Sequence, residues 1–589
     1  MRPGVAKTDE GAGLFVRGGD VSETATFLDR APLYHPYRYE TPNGGLFGTV
    51  DPYLISGLSL GTGAIPARYG NVLSGVLDLT GMDRPQRTTV AAGLGLATAS
   101  VNVGVPIGRR AGVRFSGNES MSRLLFAVNP TDQHFTTFPS GSNLNADVYF
   151  DAERAGRFKL SVLTNQDRVG VQVWQDAFAG VLDSAERTRL VSLGWTKALA
   201  GAWVLTTTAS AGDANERVRV GVMDLASGDS SGTVRVDAVG PLGGWIVRGG
   251  FEGERQGGTA QGTTASHGGD LGGVQGVRLW SFDQTEWHAG GYSEAERRAG
   301  RLTLSAGARV DRFQTLGAWT ADPRVALTCA VGARQHLLAA WGLFHQAPSP
   351  LYLDRQYGNP ALPPMSARHL EAGYAYGVES GPVYVRVEAY DKQYRDLPLE
   401  DPALNFSGRG FGRARGIDVF LKLARSAAWD VWASYSFVHA RRLYTPFEDY
   451  GRYGVPAAPF RPDFEIPHTL QVVARGAVST SVAVGASLRV ASGKPFTPIV
   501  GGVGPAGRMV PIFGPINSDR LPLYQRLDVN VSHSRAIKSK ASVILYVGLT
   551  NLLNHENVFE YVYSADFRER APAPGSWRRA VYFGVTVQR

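Results

Sequence analysis

Polar and apolar residues alternate with a period of two along much of the chain, in runs separated by turn residues. From Arg526 to Ser532 the odd positions Leu527, Val529 and Val531 are apolar, and the even positions Arg526, Asp528, Asn530 and Ser532 are polar. Leu302, Leu304, Ala306, Ala308 and Val310 oppose Thr303, Ser305, Gly307, Arg309 and Asp311 in the same way, and Val383, Val385, Val387 and Ala389 oppose Tyr384, Arg386, Glu388 and Tyr390. Each such run predicts a strand with one greasy face. Several reach about ten residues, the length that crosses a bilayer at a tilt and about twice that of a globular strand. Soluble sandwiches alternate too. Strand length, with the aromatics Trp429, Trp432, Tyr435 and Phe437 near strand ends, favours a membrane barrel with interfacial girdles.

Connections fall into two classes. Long Gly- and Pro-rich stretches at 256–276, 345–368, 439–467, 494–524 and 555–578 contrast with short turns elsewhere. That asymmetry predicts extracellular loops at one end of a barrel and periplasmic turns at the other. Residues 1–84 lack ten-residue runs, and Pro85 marks a linker, so a compact unit over 1–84 should precede a barrel over 85–589. The first unit holds 7 basic and 9 acidic residues, net −2, which leaves +10 on the remaining 505.

Composition narrows the class. Glycine at 72, aromatics at 10% and only 19% charged residues fit a turn-rich, β-rich chain. A mean hydropathy of −0.13 and the lack of any run of about 20 apolar residues exclude helical spans, a test that β-strands escape. Lysine accounts for 8 of the 60 basic residues, so the positive charge is nearly all arginine. Its planar fork suits lipopolysaccharide phosphate or an anionic solute, although codon preference explains the bias equally well. No nucleic-acid motif accompanies the charge, and no nucleic-acid partner is expected. Cys329 is alone and reads as packing. Residues 1–30 contain no apolar export segment, so a signal peptide is missing from this chain and a mature fragment or mis-assigned start is expected.

Four motifs in order, Phe15-Val16-Arg17-Gly18-Gly19-Asp20, Phe27-Leu28-Asp29, Gly63 to Gly70 and Ser74 to Leu79, resemble the second half of the plug of TonB-dependent outer-membrane receptors. Pro323-Arg324 opening a strand, Gln346-Ala347-Pro348, Asn359 to Leu362, Gly416-Ile417-Asp418-Val419, Ser492 to Phe496, Arg526-Leu527-Asp528 and Asn551 to Asn554 are similar to signatures of the family's barrel. The resemblance implies an all-β fold of about 22 antiparallel strands around a truncated plug, in the outer membrane. It implies active uptake of a scarce solute, whether siderophore, cobalamin, carbohydrate or peptide, energised by the TonB-ExbB-ExbD complex. The TonB box has no counterpart here, which keeps a passive or adhesive barrel as the alternative. Arg30 follows Asp29 where the family pattern has glycine, so a turn with positive φ would cost on the order of 1 kcal/mol.

Candidate chemistry is sparse. Arg17, Gly18, Gly19, Tyr69 and Gly70 read as structural plug positions, with Arg17 expected to pair with a wall carboxylate. Tyr34, His35, Tyr37, Arg38 and Tyr39 cluster rings and charge in one loop, which suits either a ligand-contacting apex or packing against the barrel wall. No metal-ligand spacing is found, so no metal and no cofactor are expected, and His35, His345 and His369 are not ligands. No nucleophile is placed beside a base, so an enzyme is not expected; a lipase or protease is the second class.

Overall fold

A computed structural model describes residues 3–6, 11–39, 47–131, 133–175, 178–267, 269–426, 429–505, 509–538, 541–574 and 578–589. From Thr89 onward 22 antiparallel strands close into one barrel, and the first strand, Thr89–Gly95, bonds to the last, Ala580–Gln588, through pairs such as Leu94↔Val585. Exposure settles which way the faces point. On Leu302–Phe313 the apolar Leu302 and Val310 are 45% and 47% exposed, whereas Arg309 and Asp311 are 1% exposed. A soluble protein would reverse that order. Here the greasy face is outside and the polar face lines the lumen.

Strand length is uneven. Thr89–Gly95 spans seven residues and Val277–Ala299 spans 23, so one side of the barrel rises well above the lipid band. This corrects two expectations. Gln256 belongs to the strand Trp245–Ala265, and the loop there covers only 266–276, because a strand that has left the membrane needs no apolar face to continue. Pro323 lies inside Ala318–Gly332 instead of opening it. Pairing with the neighbouring strand begins at Arg324↔Gly342, so the missing N–H falls at the end of that ladder.

On the short side, Thr89–Gly95 stops before it can pair with Val581. The side chain of Asn129, just after the helix Ser122–Val128, fills the place: Val581 N donates to its Oδ1 at 2.7 Å, and its Nδ2 donates to Val581 O at 2.8 Å. The amide thus stands in for a peptide group at the barrel seam.

Before Pro85 the chain forms a four-stranded sheet ordered Ala31–Pro32, Thr24–Leu28, Gly75–Gly81, Ile55–Gly61, with the middle pair parallel. Its apolar side shares a core with the wall: Phe27, Ile65, Tyr69, Leu73 and Val76 pack with Phe344, Tyr394, Ala414 and Ala440. This sheet therefore sits inside the lumen. The turn Asp29-Arg30 is left-handed at both residues, φ 49° and 72°, as the missing glycine predicted would be costly. Ion pairs offset the strain, since Lys159 Nζ meets Asp29 Oδ2 and Arg30 Nη1 meets Asp237 Oδ2, each at 2.7 Å.

Orientation can be tested on one strand. Val529→Arg places charge against hydrocarbon and should lower stability in liposomes by about 2–4 kcal/mol, whereas Asn530→Gln on the lumen side should refold as the wild type does. Urea midpoints for the two variants check this, and equal midpoints would contradict the assignment.

Candidate functional site

The sheet is held in the lumen by guanidinium groups. Phe15–Val16 delivers Arg17 in a left-handed conformation (φ 51°) followed by Gly18 at φ 72°, a reversal that glycine adopts without steric cost. The Arg17 side chain then meets three wall carboxylates: Nε donates to Asp418 Oδ2 at 2.8 Å, Nη1 to Glu371 Oε2 at 3.0 Å, and Nη2 to Glu388 Oε2 at 2.6 Å. All four groups are buried. Arg386 bonds the other oxygen of Glu388, and the buried Lys392 stands nearby with its Nζ donating to Ser74 O (3.1 Å) and Val16 O (3.3 Å). Arg442 extends the chain of charge: it pairs with Glu23 through both carboxylate oxygens and donates to Gly18 O at 3.0 Å.

A second set grips the segment from Gly63 to Gly70. Arg324 Nη1 donates to Pro66 O at 2.6 Å, Tyr69 O at 2.9 Å and Ile65 O at 3.3 Å, while its guanidinium lies over the Phe344 ring. A Cβ at position 70 would collide with the Arg309 guanidinium, so glycine there permits the close approach. Tyr69 is buried and its hydroxyl donates to Asp78. Glu252, His288 and Asp311 of the wall offer ligand atoms within 4.8 Å of one another. Arg309 bonds to both carboxylates and Arg235 to Glu252, so the positive charge that a metal would bring is already supplied by the chain.

The ring-rich loop divides between the two roles open to it. Arg38 Nε donates to Asp167 at 2.9 and 3.0 Å, Tyr37 is buried, and Tyr39 donates its hydroxyl to Ser140 O at 3.0 Å and its N–H to Glu186 at 3.2 Å. These three fasten the loop to the wall. Tyr34 and His35 instead border a cavity of about 190 Å³ on the side of the long loops, closed by Leu190, Ala214, Gln256 and Pro350. His35 Nε2 lies 3.2 Å from Asp229 at its edge. Burial, and next the charge of Glu254, to which it hydrogen-bonds, hold the Tyr34 hydroxyl well above its usual range. The segment Glu40–Leu46 that follows lies outside the described residues. Elsewhere in the unit, desolvation and the adjacent Glu23 push the Asp20 carboxyl up to about 6, although it still accepts from Ser22 N at 2.9 Å.

The wall partners Glu371, Glu388, Arg309 and Arg442 were not given a role from sequence, and Asp418 stood there only as part of a barrel signature. Alternation marks several of them as inward polar positions, but it carries no information on what they meet.

No curated protein matches the sequence. Among solved structures, the siderophore receptor PiuA from Acinetobacter baumannii is 11% identical with a TM-score of 0.73, covering 100% of this chain and 93% of its own. The FrpB iron transporter from Neisseria meningitidis is 14% identical at TM-score 0.72, covering 100% and 95%. The copper transporter OprC is 14% identical at TM-score 0.70, covering 100% and 93%. At such identities the likeness is one of fold. A family model described as TonB dependent receptor-like, beta-barrel matches residues 109–552, and the chain belongs to that family.

Proposed function

We propose that this outer-membrane receptor imports a scarce solute by moving an occluding unit, residues 1–84, within a fixed barrel, residues 85–589. The observation that carries the reading is the ionic anchorage of that unit. Its contacts run from Asp167 round the wall to Arg442, and on this reading the unit must shift against them for a solute to pass. Removing one partner of a buried ion pair costs roughly 3–5 kcal/mol, so an external source of work suits the fold better than thermal opening. TonB with ExbB and ExbD would supply that work from the proton gradient. Tyr34 and His35 are proposed as first contacts of the solute, with Asp229 and Gln256 of the wall, in a cavity that offers an aromatic ring, an imidazole and an amide. Such donors suit a metal chelate, the class named for the siderophore receptor of similar fold.

Cells expressing the protein should accumulate labelled ferric chelates only while the proton gradient is intact. Uptake that ignores a protonophore would replace this reading with a passive barrel. His35→Ala combined with Gln256→Ala should weaken chelate binding by about tenfold, as loss of one or two hydrogen bonds implies, with barrel refolding unchanged.

Arg17→Met strands Glu371 and Asp418, leaves Glu388 with Arg386 alone, and should loosen the inner unit without opening the barrel. Its conductance in planar bilayers should exceed that of the wild type by about tenfold or more, given a loss of roughly 3–5 kcal/mol. Wild-type conductance in this variant would show that the anchor does not restrain the unit.

The Asp20 carboxyl, raised in the folded state, favours the native form at low pH, and that contribution fades as pH rises through about 6. Protection of the Val21–Leu28 amides from hydrogen exchange should therefore fall between about pH 4 and 6 and level off above. Asp20→Asn keeps the cap on Ser22 and should flatten the dependence; an unchanged slope would assign the titration to another group.

A further inference from the structure

The outer surface carries its arginines unevenly. On four neighbouring strands, Met365–Gly377, Val383–Asp401, Asn405–Ser426 and Trp429–Leu443, register sets Arg368, Gln393, Arg413 and Arg441 side by side in one row. The row above adds Arg395, opposite Ser366 and Phe411, and the row below adds Arg415, between Asp391 and His439. All five arginines share the outward face, because the alternating Ala367, Lys392, Ala414, Ala440 and Arg442 are buried. Among the described residues, one carboxylate serves them by ion pair: Asp391 accepts from Arg413 at 2.6 and 3.2 Å and lies 4.0 Å from Arg415. Glu465, the acid whose charge bears on Arg441, is bonded to Arg520.

Arg413 and Arg441 are directly opposite each other, an arrangement that destabilises a sheet when nothing neutralises it. On the strands Phe178–Ala198, Val204–Val220 and Met223–Leu242 acids are interspersed among the outward arginines. Arg189 faces Asp213, Arg219 faces Asp183, and Arg217 pairs with Asp224 at 3.0 Å. The difference points to an anion from outside. Immediately below the arginines the outward face becomes apolar, with Leu370 53%, Ile417 46% and Tyr435 37% exposed, so the patch stands at the outer edge of the lipid band.

We propose that this patch binds the phosphorylated head group of lipopolysaccharide, with guanidinium forks on its phosphates and its acyl chains lying over Leu370 and Ile417. A bidentate fork matches phosphate, and the apolar floor selects a lipid over a free anion. The proposal rests on the outer-membrane placement of the barrel and is independent of the solute, so failure of uptake would leave it standing.

The test uses the full chain, delipidated in detergent and titrated with diphosphoryl lipid A, dephosphorylated lipid A and inorganic pyrophosphate, with binding read by native mass spectrometry. Wild type should prefer the diphosphoryl lipid by about tenfold or more, the equivalent of one charge-assisted contact. Arg395→Gln, Arg413→Gln and Arg441→Gln together should abolish the preference, while Arg187→Gln, Arg189→Gln and Arg217→Gln together should retain it. Asp391→Asn, which removes the internal acid, should tighten lipid binding even if the triple variant fails to fold. Equal binding of both lipids, equal loss in both triple variants, weaker binding by Asp391→Asn, or full displacement of the lipid by equimolar pyrophosphate would each overturn the proposal.

Discussion

Backbone N–H and C=O groups facing hydrocarbon have no water to bond, so every one must find a partner within the protein. For a sheet this means closure, and the pairing of Ala580–Gln588 with Thr89–Gly95 is the step on which the rest depends. With 22 strands the ring is wide, and its interior cannot be filled by wall side chains alone. A folded unit must occupy it if the pore is to be shut. The polar lumen dictates the means, since an apolar insert would leave inward carboxylates such as Glu371 and Asp418 unpaired.

Ionic anchorage has a different character from apolar packing. The shared core around Phe27 and Tyr69 resists separation gradually, whereas the Arg17 set is lost or kept as a unit, because withdrawal strands Glu371 and Asp418 together and leaves Glu388 to Arg386. Such a contact holds firmly against thermal motion and yields over a short distance to a directed pull. The strained turn at Asp29-Arg30 shows the same economy, with unfavourable backbone angles retained because both side chains end on wall charges.

The barrel was legible in sequence because a period of two is local: the faces of Leu302–Phe313 follow from adjacent residues alone. Motifs recognised by resemblance also found their reason in contacts, as Arg526 bonds Asp528 at 2.8 Å and Asp528 in turn accepts from Asn551 N at 2.9 Å. The partners of Arg17 were not legible. They lie 354, 371 and 401 residues away, and no local pattern says which inward acids a distant loop will meet. The ring-rich loop was ambiguous for a physical reason, since aromatic and basic residues serve both wall and ligand, and here Arg38 does the first while His35 borders a cavity. Pro323 misled because its effect depends on where a neighbouring ladder ends.

The Asn129 amide at the seam bears on how the ring is assembled. Sliding the last strand by one residue would turn every side chain to the wrong face, and nothing in a backbone ladder alone forbids such a slip. Asn129 belongs to a segment synthesised long before Val581, and its acceptor and donor are set to receive one peptide group in one position. It therefore acts as a fiducial mark: the closing strand is in correct alignment when Val581 reaches it, and a misaligned strand forfeits both bonds.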